Sequence, residues 1–343
     1  MRDTNADAID ELFAFTRDGR HPGAAVMVIQ DSVIRRRRGY GLADLEAGTP
    51  ITGETCFYLC SLSKAFTAMA IMLLAEAGQV SYDDALPRFF PEFPVYGRAI
   101  TIRSLLHHTS GLPDHFQLSA RSDLAELTGL TNQSVLDWLR RREAGDFPAG
   151  ERRQYSNSGY VLLAMIVARA SGQPFHRFLR ARIFAPLGMR HTLVYDESKP
   201  AVSRLAPAYA PVDTPDGDGY RRWDYNLLTS GGGGIFSCID DLYRWDQALA
   251  KEQLVSAATF REAYTPGHLN DGSEFGYGYG WEIGQFRGRK QIAHTGGLAS
   301  YHTRFLRYPD ERLSVIVLGN TDRVDAVASA QQIAALYLGH GRR

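Results

Sequence analysis

Between residues 61 and 77 the sequence places apolar side chains on nearly every face of a helix, and Gly78 closes it. Such a helix has no side to give to water, so other elements must surround it. A chain of 343 residues with 44% hydrophobic content can supply that core, as one large α/β unit or as two interleaved lobes. Upstream, residues 6–18 read as a first helix, and residues 24–29 and 33–40 read as two strands joined by a turn at Asp31-Ser32. A third apolar run, 55–59, leads directly into the buried helix.

From about 80 to 230 the pattern is mostly helical, at 101–107, 134–142, 159–170 and 175–183, with turn-rich loops between. After the four glycines 231–234, strand patterns return at 278–284, 290–294, 302–308 and 313–318, and 324–338 closes as a helix. The expected fold class is α+β: one antiparallel sheet made from both ends of the chain, flanked by N- and C-terminal helices, with a mostly α-helical inserted lobe. Residues 1–60 and 231–343 would form the sheet lobe, and 61–230 the helical lobe carrying Ser61 at the junction.

Lysine plus arginine equals aspartate plus glutamate, 38 each, and the charges are spread along the chain, so neither nucleic acid nor a membrane is an expected partner. The one basic run, Arg35 to Arg38, reads as an exposed strand edge guarded by charge. Asp3, Asp7, Asp10 and Glu11 stand where a signal peptide needs a basic start, and no stretch approaches a membrane span. Three cysteines are an odd number for a disulfide framework, so a cytoplasmic address is expected.

Chemistry concentrates in three places. Ser61 and Lys64 are three residues apart at the start of the buried helix and so share a face. A serine hydroxyl needs a base, and a lysine serves only where its surroundings disfavour its charge; Ala65, Phe66, Ala68 and Met69 would provide that. The chain has four lysines, Lys64, Lys199, Lys251 and Lys290, and Lys64 alone has a serine three residues before it. Second, Tyr155-Ser156-Asn157 precedes an apolar helix, offering a phenol to pass protons and an amide to orient partners. Third, His294-Thr295-Gly296-Gly297 ends a predicted strand, where the Gly297 N–H would join that of Ser61 as an oxyanion donor. Each has a plainer reading alone: a surface serine and lysine, a turn capped by Asn157, and a structural histidine.

In this order and at these separations, Ser-x-x-Lys, Tyr-x-Asn and a basic residue before Thr-Gly resemble the penicillin-recognising serine hydrolases, the superfamily of β-lactamases and penicillin-binding proteins. The Tyr-Ser-Asn form resembles the branch with class C β-lactamases, D-aminopeptidases, family VIII esterases and CubicO-type proteins. Residues 105–113, Phe147-Pro148-Ala149-Gly150, Pro186-Leu187-Gly188-Met189 and 232–237 agree, so the resemblance spans roughly 8 to 338. It implies a β-lactamase/transpeptidase-like fold with the active site between sheet and α lobe. It also implies Ser61 as nucleophile, Lys64 as base or relay, and Tyr155 as the group that deprotonates the serine or protonates the leaving group. Asn157, His294, Thr295 and Gly296 would bind substrate. His294 stands where many relatives have lysine; with an ordinary pKa near 6.5 it offers a carboxylate a weaker charge, which counts against β-lactamase activity.

Other features read as structural. The pair His107-His108 has no third ligand at zinc-like spacing, so no metal and no cofactor are expected. The glycine run reads as a close-packed junction, Ser237 with Asp240 as a capping box, and Cys60 as a buried thiol. Trp223 and Tyr225 would wall the acyl pocket or belong to the core. No Gly-x-Ser-x-Gly occurs. The expected reaction is acyl transfer from a small ester, with a D-amino-acid peptidase or amidase, an acyltransferase, and a catalytically silent ligand-binding relative as alternatives.

Overall fold

The computed structural model of the protein describes residues 4–118, 127–214 and 217–339; Asp3 of the acidic N-terminal group lies outside them. Six antiparallel strands form the main sheet, in the order Glu282–Phe286, Arg289–Leu298, Tyr301–Tyr308, Leu313–Gly319, Ala24–Gln30 and Val33–Tyr40. The two chain ends meet in its middle, where Ala24 pairs with Gly319 and Gln30 with Leu313.

Successive side chains of a strand point to opposite faces, and this sheet is covered on both. Ala25, Met27 and Ile29 join one apolar core, whereas Ala24, Val26 and Val28 join another. The second core is closed by the terminal helices Thr4–Leu12 and Ala326–Leu338, through Ile9, Ala330, Ile333 and Ala334. The first is closed by Ile239–Ala250 and Ser63–Glu76, through Leu242, Trp245, Phe66 and Met69. Residues 63 to 74 of the latter helix are all buried, as its apolar faces require. Arg35 to Arg38 lie on the edge strand Val33–Tyr40. There Arg36 and Arg38 pair with Asp10, and Arg37 pairs bidentately with Asp240 at 2.6 Å.

Several local expectations give way to tertiary contacts. The first helix ends at Leu12, and a short 3₁₀ turn, Ala14–Thr16, follows. Within the mostly helical region lies a hairpin, Ala208–Thr214 with Gly217–Trp223. The strand expected at 278–284 begins only at Glu282, because Gly280, at φ +74°, turns the chain against the Lys64 carbonyl. No capping box forms at Ser237: the N-cap residue is Cys238, Ser237 bonds the Thr192 hydroxyl at 2.8 Å, and Asp240 is engaged by Arg37. All three cysteines are buried free thiols. No helix among the described residues is long and apolar enough to cross a membrane.

Candidate active site

The site is built where the buried helix meets the glycine run and the strand Arg289–Leu298. The short strand Phe57–Tyr58 pairs with Ile235–Ser237, and Cys60, at φ 53°, then turns the chain into the 3₁₀ segment Cys60–Leu62 and the helix. A left-handed non-glycine residue costs about 1–2 kcal/mol. The Thr303 hydroxyl, bonded to the Leu59 carbonyl at 2.9 Å, helps hold the turn.

Helix and glycine run are stitched together. The Ser63 hydroxyl accepts from the Ile235 N–H at 3.3 Å, Lys64 Nζ donates to the Gly232 carbonyl at 2.7 Å, and the Thr67 hydroxyl donates to the Gly231 carbonyl at 2.8 Å. A Cβ on Gly231 would stand 2.2 Å from the Tyr160 carbonyl oxygen, so the run threads a gap that only glycine passes. Gly296 is confined likewise, its virtual Cβ lying 2.3 Å from Thr303 Oγ1 and 2.4 Å from the Leu59 carbonyl. Gly296→Ala is therefore expected to lower unfolding free energy by about 1–3 kcal/mol, read from urea denaturation.

Lys64 is fully buried, yet its amine is not in purely apolar surroundings: Nζ lies 3.2 Å from Ser61 Oγ, 2.7 Å from Asn157 Oδ1 and 2.7 Å from the Gly232 carbonyl. The rings of Tyr155 and Tyr160 stand 4.7 and 5.5 Å from it. Burial lowers its pKa to about 7, and the Asp114 carboxylate opposes part of that shift. Tyr155 is 36% exposed. Its phenol is nonetheless pushed above the ordinary range, burial outweighing the Ser61 hydroxyl that bonds to it. Burial also pushes the Cys60 thiol up, so no thiolate competes with Ser61.

Asn157 opens the helix Asn157–Ser171 and does not cap it; the cap is the Ser156 hydroxyl, accepting from the Gly159 N–H at 3.3 Å. The Asn157 N–H and Nδ2 both donate to Asp114 Oδ2 at 2.9 Å.

Ser61, Tyr155, Asn157 and Gly297 line one cavity of about 270 Å³, together with Tyr58, Val161, Leu227 and Leu298. His294, Thr295 and Gly296 are not among the residues that line it. His294 does not end its strand, which continues to Leu298. Its Nδ1 lies 2.7 Å from the Thr295 carbonyl and its Nε2 2.9 Å from the Tyr277 hydroxyl, and burial lowers its pKa to about 4. It is a neutral, internally bonded ring, not the weak cation expected. Thr295 Oγ1 accepts from Arg304. The neighbouring strand Glu282–Phe286 pairs only as far as Ala293, so among the described residues 294–298 have no strand partner on that side. Neither Trp223 nor Tyr225 lines the cavity; the Tyr225 ring packs 4.2 Å from that of Tyr58.

Sequence reasoning missed Asp114 and the Gly232 carbonyl. Asp114 directly follows the stretch 105–113 singled out above, and that adjacency was its one available signal. The Gly232 carbonyl is main chain and carries no side-chain signature.

A hydroxyl beside a buried amine of lowered pKa, with a phenol and an amide in the same cleft, defines a serine hydrolase built on an antiparallel sheet. The chain belongs to the β-lactamase family, whose model, described as Beta-lactamase, matches residues 6–338. It is 34% identical to a Bacillus subtilis penicillin-binding protein over 100% of this chain and 78% of that one. To a Cereibacter sphaeroides D-aminopeptidase it is 27% identical over 98% of its own length, and it spans only 63% of that relative. Among solved structures, the octameric penicillin-binding protein homologue from Pyrococcus abyssi superposes with a TM-score of 0.84 at 27% identity, covering 98% of this chain and 77% of that one.

Proposed function

We propose that the protein hydrolyses small uncharged esters through an acyl-enzyme on Ser61. The observation that carries the reading is the valence of Lys64. Three acceptors surround Nζ, Asn157 Oδ1 and the Gly232 carbonyl at 2.7 Å and Ser61 Oγ at 3.2 Å, and the ammonium donates to all three. Loss of a proton, which the lowered pKa favours, leaves two N–H groups on the closer carbonyls and a lone pair facing Ser61. The opposite pKa shifts support a division of roles: Lys64 takes the serine proton, and Tyr155, a neutral phenol, gives a proton to the leaving group. Backbone N–H groups of Ser61 and Gly297 would hold the oxyanion. In the second step water attacks the acyl carbonyl, and the serine leaves with its proton restored.

The cavity wall supports an uncharged substrate. Among the described residues lining it none is Lys, Arg, Asp or Glu, and His115 is held neutral by burial, its pKa lowered to about 4. A substrate carboxylate or ammonium finds no counter-charge on that wall, which favours esters over β-lactams and over D-amino-acid amides. The D-aminopeptidase relative favours a second reading, cleavage of D-aminoacyl amides. We also place the protein in the cytoplasm, a reading supported by its free buried thiols.

The test compares wild type and Ser61→Ala on p-nitrophenyl acetate and butyrate, a D-alanyl anilide and nitrocefin. Ester turnover lost in the variant is the expected result. Turnover of the D-alanyl anilide alone would establish the peptidase reading, and failure of the wild type to react with a fluorophosphonate would remove the acyl-enzyme altogether.

A further inference from the structure

We propose that Asp114 is a positioning residue: it holds the Asn157 amide so that its oxygen faces Lys64, and thereby aims the lysine lone pair at Ser61. This inference rests on the acyl-enzyme reading above and assigns Asp114 no proton transfer of its own.

The carboxylate is anchored at three points. Oδ2 accepts from the Asn157 N–H and Nδ2, both at 2.9 Å, and Oδ1 accepts from the Phe116 N–H at 3.0 Å. The loop carrying it is strapped to the same helix start, because the His115 N–H donates to the Ser158 hydroxyl at 2.8 Å.

A primary amide has two ends of nearly equal shape, and chemistry decides which way it points. A carboxylate only accepts, so Nδ2 must face Asp114 and Oδ1 must face Lys64, 2.7 Å from Nζ. The reverse orientation would set a carbonyl against a carboxylate and an NH₂ group against the amine. Without Asp114 the Nδ2 end loses the acceptor that opposes the reversed orientation, and the choice is left to Lys64 alone. Lys64 would then lose one of its two carbonyl acceptors, could turn an N–H toward Ser61, and would no longer present its lone pair to the hydroxyl.

Charge acts through the same arrangement. The titratable groups around Lys64 are Asp114, Cys60, Tyr155, Tyr160, His108, His115 and His294. Burial keeps Cys60, Tyr155 and Tyr160 protonated and the three histidines neutral. Asp114 is therefore the member of that set whose negative charge draws Lys64 back toward its proton.

The experiment uses the full chain with all lysines ¹³C-labelled at Cε, four resonances in total, beside p-nitrophenyl acetate kinetics over roughly pH 5 to 9. Asp114→Asn is expected to lower kcat about 10²-fold with little change in KM, since it disturbs an alignment and not a binding contact. The Lys64 titration and the acid limb of kcat/KM should both move to lower pH, because a lost negative charge disfavours the protonated amine. The double variant Asp114→Asn with Asn157→Ala should be no slower than Asn157→Ala alone. An unshifted Lys64 titration in Asp114→Asn, or fully additive losses in the double variant, overturns the proposal. Asp114→Glu covers the case in which Asp114→Asn does not fold. It keeps the charge and displaces the carboxylate, so kcat should fall while the Lys64 titration stays near that of wild type, and an unchanged kcat contradicts the inference. If wild type shows no Ser61-dependent turnover, the hydrolase reading is what fails; the NMR titration still judges Asp114.

Discussion

Ser61→Ala is expected to reduce ester turnover by about 10⁴-fold or more in kcat while leaving the fold intact. The size follows from the proposed mechanism, in which the residue supplies the atom that becomes bonded to the acyl carbon, and no other group among the described residues lining the cavity can replace it. Cys60 is adjacent, but burial keeps its thiol protonated and its weak contacts run to main-chain carbonyls of Tyr58 and Tyr301. Removing the hydroxyl takes one contact from Lys64 Nζ and one from the Tyr155 phenol, and Lys64 keeps its two carbonyl acceptors while Tyr155 is 36% exposed. Thermal unfolding of the variant should thus stay close to wild type while its kinetics collapse, a contrast read by calorimetry beside a p-nitrophenyl acetate assay.

Lys64→Met is expected to cost about 10³-fold in kcat and to change the shape of the pH profile. Methionine approximates the length of the side chain and removes the base. In the proposed mechanism the active form is the neutral amine, so kcat/KM should rise as pH increases through about 7 and then level off. An ordinary lysine would place that rise near 10.5. Because the Tyr155 phenol is pushed above its ordinary range, it should hold its proton across the plateau. The Lys64→Met variant should lose the limb near 7, and a limb that persists in it would assign the titration to another group.

The parts of this molecule readable in the sequence are those governed by local rules. Short apolar runs bounded by turn residues placed most strands of the main sheet, and apolar residues on every face marked the helix Ser63–Glu76 as buried. A three-residue spacing made Ser61 and Lys64 neighbours, since that spacing acts within one helical turn. Contacts made at long range were not readable. Asp114 meets Asn157 across 43 residues of chain, and the second acceptor of Lys64 is the main-chain carbonyl of Gly232. The character of His294 depends on Tyr277 and on burial, so its ordinary solution pKa was a poor guide. Ser237 and Asp240 have the spacing of a capping box, but Thr192 and Arg37 offer each a better partner.

The most direct test of the covalent account is intact-protein and peptide mass spectrometry after brief mixing with a fluorophosphonate or a slowly released p-nitrophenyl ester. The mechanism requires one adduct per chain, located on the peptide containing Ser61 and missing from Ser61→Ala. An adduct on a different residue, or turnover that persists unlabelled in Ser61→Ala, would contradict it.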